Sequence, residues 1–570
     1  MKRPPRRTLS AMSLFVILLL FAGTAAAKEY YVNDLASFSA AQSAAVSGDV
    51  IIWQNGTYST MSFPISKSGL TVRAETPGGV TFNGTSTCGI GGDSIVFSGF
   101  QFVQGDIGDT DLLVVSGDHN TVTQCNFQAV SAHHYVVFSG GSQYNVLSYC
   151  NIEGKPMTYI NSAVQVSTSP TVVGYHVIRY CSFKNFPGPG GDAGNEPIRL
   201  GVGEEKTNIS RTVVEYCYFE NVGLGDSESI SIKCAENVCR YNTFNKNIGG
   251  LMVFRQGYRN VAYGNFFING SGGIRLKAGD NDFVYNNYFA TGTGDALRLD
   301  FEAAFPLDKV YIVHNTFVEC AALKLTIAGP TNVMFANNIF KRSTGPVVDG
   351  TTSAITFRGN IIQGIFGIPV PTGNLEVDAK LELNSDGYYG LSSTSPAMNA
   401  ADTSYPAIFD VANVDDDPSI MLDLSGQARP AEKSLKDVGC DEYTTGGTTN
   451  RPLTLSDVGP VYLRTTAVNE VVAAPVSFEV LQNYPNPFNP TTVVSAQWPV
   501  ASQVKLTVYD LLGREVAELA NGLYPPGKHQ FVFDASGIAS GVYLYKIQAR
   551  GLADGRGGDF VATRRMLFIK

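Results

Sequence analysis

The triplet Asn265-Phe-Phe267 recurs, with variation, at ten places along the chain. Neighbouring copies lie 22 to 36 residues apart, which is the length of one coil of a β-solenoid with occasional loop insertions. Equivalent positions of stacked coils form ladders, in which Asn amides hydrogen-bond along the axis and Phe rings stack inside. The repeat therefore predicts an all-β fold, a right-handed parallel β-helix. The other nine copies are Cys125-Asn-Phe127, Cys150-Asn-Ile152, Cys181-Ser-Phe183, Cys217-Tyr-Phe219, Asn242-Thr-Phe244, Asn287-Tyr-Phe289, Asn315-Thr-Phe317, Asn338-Ile-Phe340 and Asn360-Ile-Ile362.

Two other folds fit this pattern less well. A leucine-rich repeat requires Leu in a fixed frame, which the sequence lacks. A β-sandwich rarely keeps one residue type in register over so many turns. We expect the β-helix to occupy residues 28–443, followed by a linker over residues 444–477 that begins with TTGGTTNRP. The last part of the β-helix is less regular, and Asp415-Asp-Asp417 within it is interpreted as a turn or cap.

The composition is that of a strand-and-turn protein. Only 16% of the 570 residues are charged, and 59 are glycines. The formal net charge of −9 argues against nucleic acid as the main partner, although it leaves room for a local basic groove. The nine cysteines form no CxxC pair and no metal-binding spacing with His, so we interpret most of them as buried packing residues.

Residues 1–27 have the pattern of a secretory signal peptide. Basic residues at the start are followed by an apolar run over residues 12–22 and by Ala25-Ala-Ala27, after which we expect cleavage. The apolar run is too short to span a bilayer, and no other segment of the sequence is long enough. We therefore expect a mature chain without a transmembrane segment, secreted or held at the cell surface.

Residues 478–570 contain short alternating segments separated by turns, which predicts a small β-sandwich. Three of its motifs resemble the C-terminal sorting domain of proteins exported by the type nine secretion system. This resemblance implies that the outer-membrane secretion machinery is a partner, whereas an ordinary carbohydrate-binding or immunoglobulin-like module is the alternative. The motifs are Asn483-Tyr-Pro-Asn-Pro-Phe-Asn-Pro490, Tyr509-Asp-Leu-Leu-Gly513 and Arg564-Arg-Met-Leu567.

Several predicted strands of the β-helix carry a basic residue between two inward-pointing apolar residues, as in Ile198-Arg-Leu200. Others are followed directly by a basic residue. Cations stacked about 5 Å apart repel one another unless an anion lies along them, so this face is interpreted as a groove for a linear polyanion. A solvated polar face is the alternative. The predicted column consists of Arg199, Lys233, Arg255, Lys277, Arg298 and Lys324, with Arg275 beside it.

Oxygen-bearing side chains stand just before two of these basic residues. Asp226 and Glu228 are two residues apart, and Asn195 stands one expected coil earlier. Carboxylate and amide oxygens are the ligands that Ca²⁺ prefers, and without a neighbouring His in the sequence a transition metal fits less well. Taken alone, the acidic pair is weak evidence for a metal site and is more typical of a plain turn.

Four segments of this region resemble polysaccharide lyase family 6, which contains alginate lyases and chondroitinase B. The stretch from Ser47-Gly-Asp49 to Asn55-Gly-Thr-Tyr58 is similar as well, so the resemblance spans residues 28 to about 362. It implies Ca²⁺-assisted β-elimination on a uronate-containing acidic polysaccharide, with alginate ahead of dermatan or chondroitin sulfate. The four segments are Asn195-Glu-Pro-Ile-Arg-Leu-Gly201, Asp226-Ser-Glu-Ser-Ile-Ser-Ile-Lys233, Phe254-Arg-Gln-Gly257 and Gly272-Gly-Ile-Arg275.

The resemblance also implies roles for individual residues. It assigns Ca²⁺ binding to Asn195, Asp226 and Glu228. It assigns the role of base to Lys233 and that of its catalytic partner to Arg255. The remaining cations of the column are expected to bind flanking uronates of the substrate, and they are Arg199, Arg275, Lys277, Arg298 and Lys324.

Two positions depart from the family pattern, which usually has Glu where Asp226 stands and His where Gln256 stands. Two other functions stay open because a β-helix does not fix function, and the two departures support the second of them. A glycoside hydrolase would need two carboxylates facing each other across a cleft. A non-catalytic glycan-binding surface protein would need neither a base nor a metal.

Overall fold

The computed structural model describes residues 27–188, 191–300, 307–326, 331–350, 355–405, 422–444, 450–464, 478–480, 482–483, 486–498, 502–524, 527–551 and 559–569. The chain divides into two compact units, Met1–Arg464 and Thr465–Lys570. The expected signal peptide, except for Ala27, and Asp415-Asp-Asp417 lie outside the described residues.

The first unit is a parallel β-helix, as predicted. The chain visits three parallel sheets in turn, and each strand pairs with the equivalent strand of the next coil. Sheet 1 consists of Glu29–Val32, Val50–Trp53, Thr71–Ala74, Val96–Ser98, Thr121–Thr123, Val146–Ser148, Val177–Arg179, Val213–Glu215, Val238–Arg240, Val261–Tyr263, Gly279–Asp280, Phe283–Tyr285, Leu307–Val313, Thr331–Ala336 and Ile355–Arg358. Sheet 2 consists of Gly56–Ser59, Val80–Gly84, Phe100–Gly105, Asn126–Gln128, Asn151–Glu153, Ser182–Lys184, Tyr218–Glu220, Thr243–Asn245, Phe266–Ile268, Tyr288–Ala290, Thr316–Val318, Ile339–Pro346, Ile361–Ile365 and Leu375–Glu376. Sheet 3 consists of Ser62–Ile65, Thr87–Ile90, Leu113–Val115, Val136–Phe138, Val164–Val166, Ile198–Leu200, Glu228–Ile232, Leu251–Phe254, Ile274–Leu276, Leu297–Asp300, Leu323–Thr326 and Val348–Gly350.

Helical structure is sparse within the described residues. One α-helix, Leu35–Ala44, begins after Asp34, whose side chain accepts a hydrogen bond from the backbone amide of Ser37. Its Phe38 packs against Trp53 and Phe63 of the first coil, so the helix extends the core at the N-terminal end of the solenoid. Three short 3-10 helices are Gly203–Glu205, Lys433–Leu435 and Val461–Leu463.

The asparagines of the repeat form a continuous ladder along the axis. Asn265 shows the pattern: its Oδ1 accepts from the backbone and side-chain amides of Asn242, each at 3.0 Å. Its own two amides donate to Oδ1 of Asn287 at 3.0 and 2.9 Å. The ladder asparagines from Asn242 to Asn360 are fully buried. Because an unpaired buried amide is costly, this ladder fixes the register of successive coils.

Two apolar ladders complete the core. Seven Phe rings stack beside the asparagines with neighbouring centroids 4.5–5.1 Å apart, as the repeat predicts. In the N-terminal coils Cys replaces Asn, and all nine cysteines are buried and free, which confirms that they are packing residues. The stacked rings are Phe183, Phe219, Phe244, Phe267, Phe289, Phe317 and Phe340.

The last solenoid strand is Leu375–Glu376, well before the predicted limit at residue 443. The residues that follow contain no further copy of the triplet, and those that the structure describes pack on the outside of earlier coils. Tyr388 lies against Phe266 and Tyr288, between the antiparallel strands Leu381–Leu383 and Tyr389–Leu391. This segment therefore covers the solenoid instead of lengthening it.

Residues 450–464, named the strap, lie along the solenoid although the sequence assigns them to the linker. The strap runs back toward the N-terminal coils and crosses six strands of sheet 2, from Thr243–Asn245 to Phe100–Gly105. Gly78, with φ +78°, permits the close approach of Tyr462, because a Cβ at this position would lie 2.5 Å from the Tyr462 ring. Hydrogen bonds of 2.8 Å mark the course of the strap, from the amides of Leu453, Gly459 and Val461 to Thr243, Tyr180 and Gln124.

The second unit contains two antiparallel sheets, in agreement with the predicted small β domain. The Asn483 of the first sorting motif is buried, and its amides donate to the Tyr545 hydroxyl at 3.0 Å and to Thr492 Oγ1 at 2.9 Å. These bonds fix the motif to the core of the unit. The strands are Glu479–Val480, Thr491–Trp498 and Gly527–Asp534 in one sheet, and Glu515–Tyr524, Ser502–Asp510, Gly541–Gly551 and Asp559–Phe568 in the other.

No helix among the described residues is both long enough and apolar enough to span a bilayer.

Replacing Asn287 by Ala removes one step of the asparagine ladder. The change leaves both amides of Asn265 without their acceptor, so we expect the free energy of unfolding of the solenoid to fall by about 2–4 kcal/mol. Urea unfolding followed by circular dichroism measures the change. The matched control is Gln128→Ala at an exposed strand position, which should stay within about 0.5 kcal/mol of the parent. Equal effects of the two substitutions would contradict the role of the ladder.

Candidate functional site

Sheet 3 carries the predicted basic residues on its outward face in two rows rather than in one column. The register pairs Leu276 with Leu299, so Arg298 is level with Arg275 and not with Lys277. The prediction of a single column is wrong here because this coil is longer than the spacing used to predict it. The two rows, named the basic face, are Arg199, Ser231, Val253, Arg275, Arg298 and Lys324 within the strands, and Gly201, Lys233, Arg255, Lys277 and Asp300 two residues further on.

Several cations of the basic face have carboxylate partners of their own. Asp300 accepts from Arg275 Nε at 2.6 Å and from Arg298 Nε at 2.7 Å. Lys324 Nζ lies 2.8 Å from Asp295. These carboxylates partly relieve the charge repulsion along the rows. The sequence pattern, in contrast, suggested that a bound anion must relieve it. Because two arginines share Asp300, this end of the face keeps an excess of positive charge.

Lys233 and Arg255 lie on neighbouring coils, directly after the paired residues Ile232 and Phe254. Adjacent strands are about 4.8 Å apart, so the two side chains start side by side. Burial lowers the pKa of Lys233, and the positive charges of Arg199 and Arg255 lower it further. Within the part of the chain that the structure describes, the Lys233 ammonium has no hydrogen-bond partner.

Three carboxylates meet beside this pair. Oxygens of Asp192, Asp226 and Glu228 lie within 4.8 Å of one another. The Arg255 guanidinium bonds to Glu228 Oε1 and lies 4.0 Å from Asp192 Oδ1. Gly225 brings this acidic turn close to the preceding coil, because a Cβ there would lie 2.8 Å from a backbone oxygen of that coil. The basic pair and the acidic cluster therefore form one contiguous site.

Asp226 occupies an environment that is short of positive charge. Its carboxylate accepts from the backbone amides of Gly194 at 2.5 Å and Glu228 at 2.8 Å. Burial raises the pKa of Asp226 to about 7, with the charges of Glu196 and Glu228 acting in the same direction. A donor set of hard oxygens with excess negative charge fits Ca²⁺, so Asp192, Asp226 and Glu228 are the residues that could bind such an ion.

The Asn195 side chain is engaged by a buried lysine. The Nζ of Lys155 donates to Asn195 Oδ1 at 3.4 Å and to the Tyr159 carbonyl at 2.7 Å. The amide nitrogen of Asn195 donates to the carbonyls of Lys155 at 3.0 Å and Pro187 at 3.3 Å. Burial lowers the pKa of Lys155 to about 8. The oxygen that the resemblance assigns to Ca²⁺ therefore already accepts a hydrogen bond from an ammonium.

Two side chains hold Arg199 in place next to the site. Its Nε donates to Glu196 Oε1 at 2.5 Å, and its Nη1 donates to Asn161 Oδ1 at 2.6 Å. The other carboxylate oxygen of Glu196 is buried and has no partner in the described chain. Arg199 therefore has a fixed position, and Glu196 adds a negative charge next to the acidic cluster.

Gln256, at the position where the family usually has His, follows Arg255 at the end of its strand. Its Oε1 is buried and lacks a hydrogen-bond partner among the described residues. The next residue, Gly257, has φ +97°, and a Cβ there would lie 2.2 Å from the Cys234 carbonyl. Glycine at this position lets the chain turn away immediately, which keeps Arg255 at the edge of the basic face.

Sequence reasoning missed three charged residues of the site. Glu196 stands inside a segment that carries the family resemblance, and Asp192 lies shortly before that segment. The sequence pattern could therefore have indicated both residues. Lys155 gave no signal, because it lies 40 residues from Asn195 and in no repeated position.

A second group of polar side chains lies on earlier turns that lead into sheet 3. Asp111, His133 and His134 bring potential ligand atoms within 4.8 Å of one another. His134 Nδ1 lies 2.7 Å from Asp111, and His133 Nε2 contacts the amide of Asn161, which also binds Arg199. Asn161 therefore connects this group to Arg199.

Two sequence models of known families match the chain. A sequence model described as Chondroitinase B matches residues 32–365, more than half of the chain. A second model, described as a secretion system C-terminal sorting domain, matches residues 482–553 and confirms the interpretation of the tail. A search of curated proteins finds no match.

Solved structures of similar fold include polysaccharide lyases. Two structures of the PL6 family alginate lyase AlyGC have a TM-score of 0.60 and 21% identity over 78% of this chain, which spans 59–60% of theirs. A mannuronic acid specific family 6 lyase from human gut microbiota has a TM-score of 0.53 and 23% identity, covering 59% of this chain and 86% of its own. A PL6 family lyase from Pseudopedobacter saltans has a TM-score of 0.51 and 21% identity, covering 61% and 97%.

Identities of this size establish a shared fold. The family model shows more than the fold, because it matches more than half of the chain. The matched residues 32–365 include the coils that carry Lys233, Arg255 and the acidic cluster. The chain therefore belongs to the chondroitinase B family and carries a C-terminal sorting domain.

Proposed function

We propose that the protein is an exported lyase that cleaves a uronate-containing acidic polysaccharide, alginate first, by Ca²⁺-assisted β-elimination. In this proposal Lys233 is the base, Arg255 is its catalytic partner, and Asp226 and Glu228 bind the cation. The observation that carries the proposal is the adjacency of the Lys233–Arg255 pair and the acidic cluster on the outward face of sheet 3.

Lys233 has the properties that a base for this reaction needs. The C5 proton of a uronate is weakly acidic, so the base must be available in its neutral form near neutral pH. Burial and the neighbouring arginines lower the pKa of Lys233, which favours the neutral amine. The amine takes the C5 proton and becomes an ammonium. The electron pair of the broken C–H bond forms the new double bond as the 4-linked oxygen leaves.

Arg255 acts next to the base. Its guanidinium, held by Glu228, donates hydrogen bonds toward the departing oxygen or orients the water that protonates it. A bound Ca²⁺ would neutralise the uronate carboxylate and stabilise the negative charge that develops when the proton is removed. Arg199 and the cations beyond Arg255 bind flanking uronates and align the chain of sugars with the site.

We propose alginate as the first substrate because similar proteins are described as acting on it. AlyGC is described as an alginate lyase, and the gut enzyme as mannuronic acid specific. The family description instead supports dermatan or chondroitin sulfate as the alternative substrate. The sorting domain and the expected signal peptide support export, with the outer-membrane secretion machinery as a partner.

A non-catalytic glycan-binding protein is the second candidate function. It is favoured by Gln256, which replaces a titratable residue beside Arg255, and by the ion pairs that hold part of the basic face. Such a protein would bind polyuronate tightly and form no unsaturated product.

Replacing Lys233 by Ala should abolish β-elimination. Without the amine, proton abstraction from C5 has no base, so we expect kcat to fall by at least about 10³-fold. The measurement is the ultraviolet absorbance of unsaturated products from alginate, its homopolymer blocks and dermatan sulfate. Lys246→Ala is the matched control, because this lysine has a side-chain exposure of 61% and follows a sheet 2 strand. Full activity of the Lys233 variant would contradict the proposed base.

Removing divalent cations with EDTA should lower the rate of product formation by at least about tenfold, because the substrate carboxylate then keeps its charge. Added Ca²⁺ should restore the rate. The same absorbance assay, run with EDTA and with EDTA plus excess Ca²⁺, measures both effects. Unchanged activity in EDTA would leave the lyase assignment in place and overturn the role of the cation.

Replacing Asp300 by Asn should tighten substrate binding. The change releases Arg275 and Arg298 from their shared carboxylate, so we expect the KM for a polyuronate to fall by about two- to fivefold at low salt. The difference should shrink near 1 M salt, where the Debye length is about 3 Å. Arg298→Ala is the opposing variant and should raise KM. A higher KM for the Asp300 variant at every salt concentration would show that the carboxylate positions the arginines instead of restraining them.

A further inference from the structure

Lys155 is the most deeply buried lysine beside the site. It lies on the turn before Val164–Val166, it has no solvent exposure, and its ammonium is held between the Tyr159 carbonyl and Asn195 Oδ1. A buried ammonium keeps its charge only when oxygens surround it. The amide oxygen of Asn195 is one of the oxygens that fill this need.

The contact between Lys155 and Asn195 is reciprocal. The Asn195 amide nitrogen donates back to the Lys155 carbonyl at 3.0 Å and to the Pro187 carbonyl at 3.3 Å. Its backbone amide donates to the Gly225 carbonyl at 3.3 Å. Both ends of the side chain are thus used by neighbours within a fully buried environment.

A cation on the same oxygen would meet the charge of Lys155. Ca²⁺ binds oxygens at about 2.3–2.6 Å, and Lys155 Nζ lies 3.4 Å from Asn195 Oδ1. The two positive charges would then share one acceptor in a poorly solvated place, where their repulsion is strong. The arrangement therefore disfavours Asn195 as a ligand.

Asp192 offers a replacement ligand within the same cluster. Its carboxylate lies within 4.8 Å of ligand atoms of both Asp226 and Glu228, and it accepts from Ser227 Oγ at 3.4 Å. Three carboxylates completed by water satisfy the preference of Ca²⁺ for six to eight oxygens, about six being the minimum.

We propose that Lys155 withdraws Asn195 from the cation site and that Asp192 replaces it as the third protein ligand. The inference rests on the proposed function, since it concerns the cation of that reaction. It makes Lys155 and Asn195 a structural pair, with Lys155 as the residue that determines which oxygens remain for the ion.

Calorimetric titration of the full mature chain with Ca²⁺ tests this assignment. Asp192→Asn should weaken Ca²⁺ binding by at least about tenfold, because it removes a charged ligand. Asn195→Ala is the matched comparison and should change the affinity by less than about twofold. The reverse pattern, a large loss with Asn195→Ala and little change with Asp192→Asn, would overturn the proposal.

Lys155→Met provides a second arm. It removes the competing ammonium and frees the amide oxygen, so Ca²⁺ binding should tighten, and Asn195→Ala should weaken it only in this background. Thermal unfolding checks that each variant is folded. If Lys155→Met does not fold, the Asp192 and Asn195 variants decide the question by themselves. An Asn195→Ala effect that is the same with and without Lys155 contradicts the inference.

The outcome is separable from the proposed function. If Ca²⁺ binding follows the expected pattern while no unsaturated product forms, the ligand assignment stands and the lyase proposal fails. If the ligand pattern is reversed while product forms, the lyase proposal stands and the inference fails. A parent chain that binds no Ca²⁺ overturns both the ligand assignment and the role of the cation.

Discussion

The hydrogen bonds between stacked asparagines are the constraint on which the rest of the structure depends. Each buried Asn from Asn242 to Asn338 joins its coil to the next at a single register. The ladder also reaches the coil of Lys233, because the Cys217 backbone amide donates to Asn242 Oδ1 at 2.9 Å, so Lys233 and Arg255 meet only while that register holds. A slip of one residue in any coil would turn the basic face inward, since side chains alternate between the two faces of a strand.

Features repeated along the chain could be predicted from the sequence, and features that depend on loop geometry could not. The Asn, Cys and Phe ladders follow from spacing alone, and the structure confirms them. The row to which Arg298 belongs depends on the length of one coil. This coil is two residues longer than the spacing between Lys277 and Arg298, so Arg298 pairs with Arg275 in the other row. Lys155 belongs to no repeat, and only folding brings it to Asn195. The loops between coils therefore determine the part of the site that sequence reasoning could not reach.

The electrostatics of the site are more balanced than a count of its cations suggests. Arg199, Arg255, Arg275 and Arg298 each contact a carboxylate, and Asp226 is left short of positive charge. A ligand therefore meets a surface of alternating charges, in which shape and hydrogen-bond direction distinguish substrates more strongly than total charge does. Positive charge is needed most at the acidic cluster, next to the proposed base.

The strap changes how the solenoid responds to stress. A stack whose coils touch only their neighbours can open at any single interface. Here residues 450–464 bridge six coils, including those that lead into the strands before Lys233 and Arg255. Separating any two of these coils must also detach part of the bridging peptide. We therefore expect these six coils to open together and not one at a time, which would preserve the geometry between the base and the cation ligands.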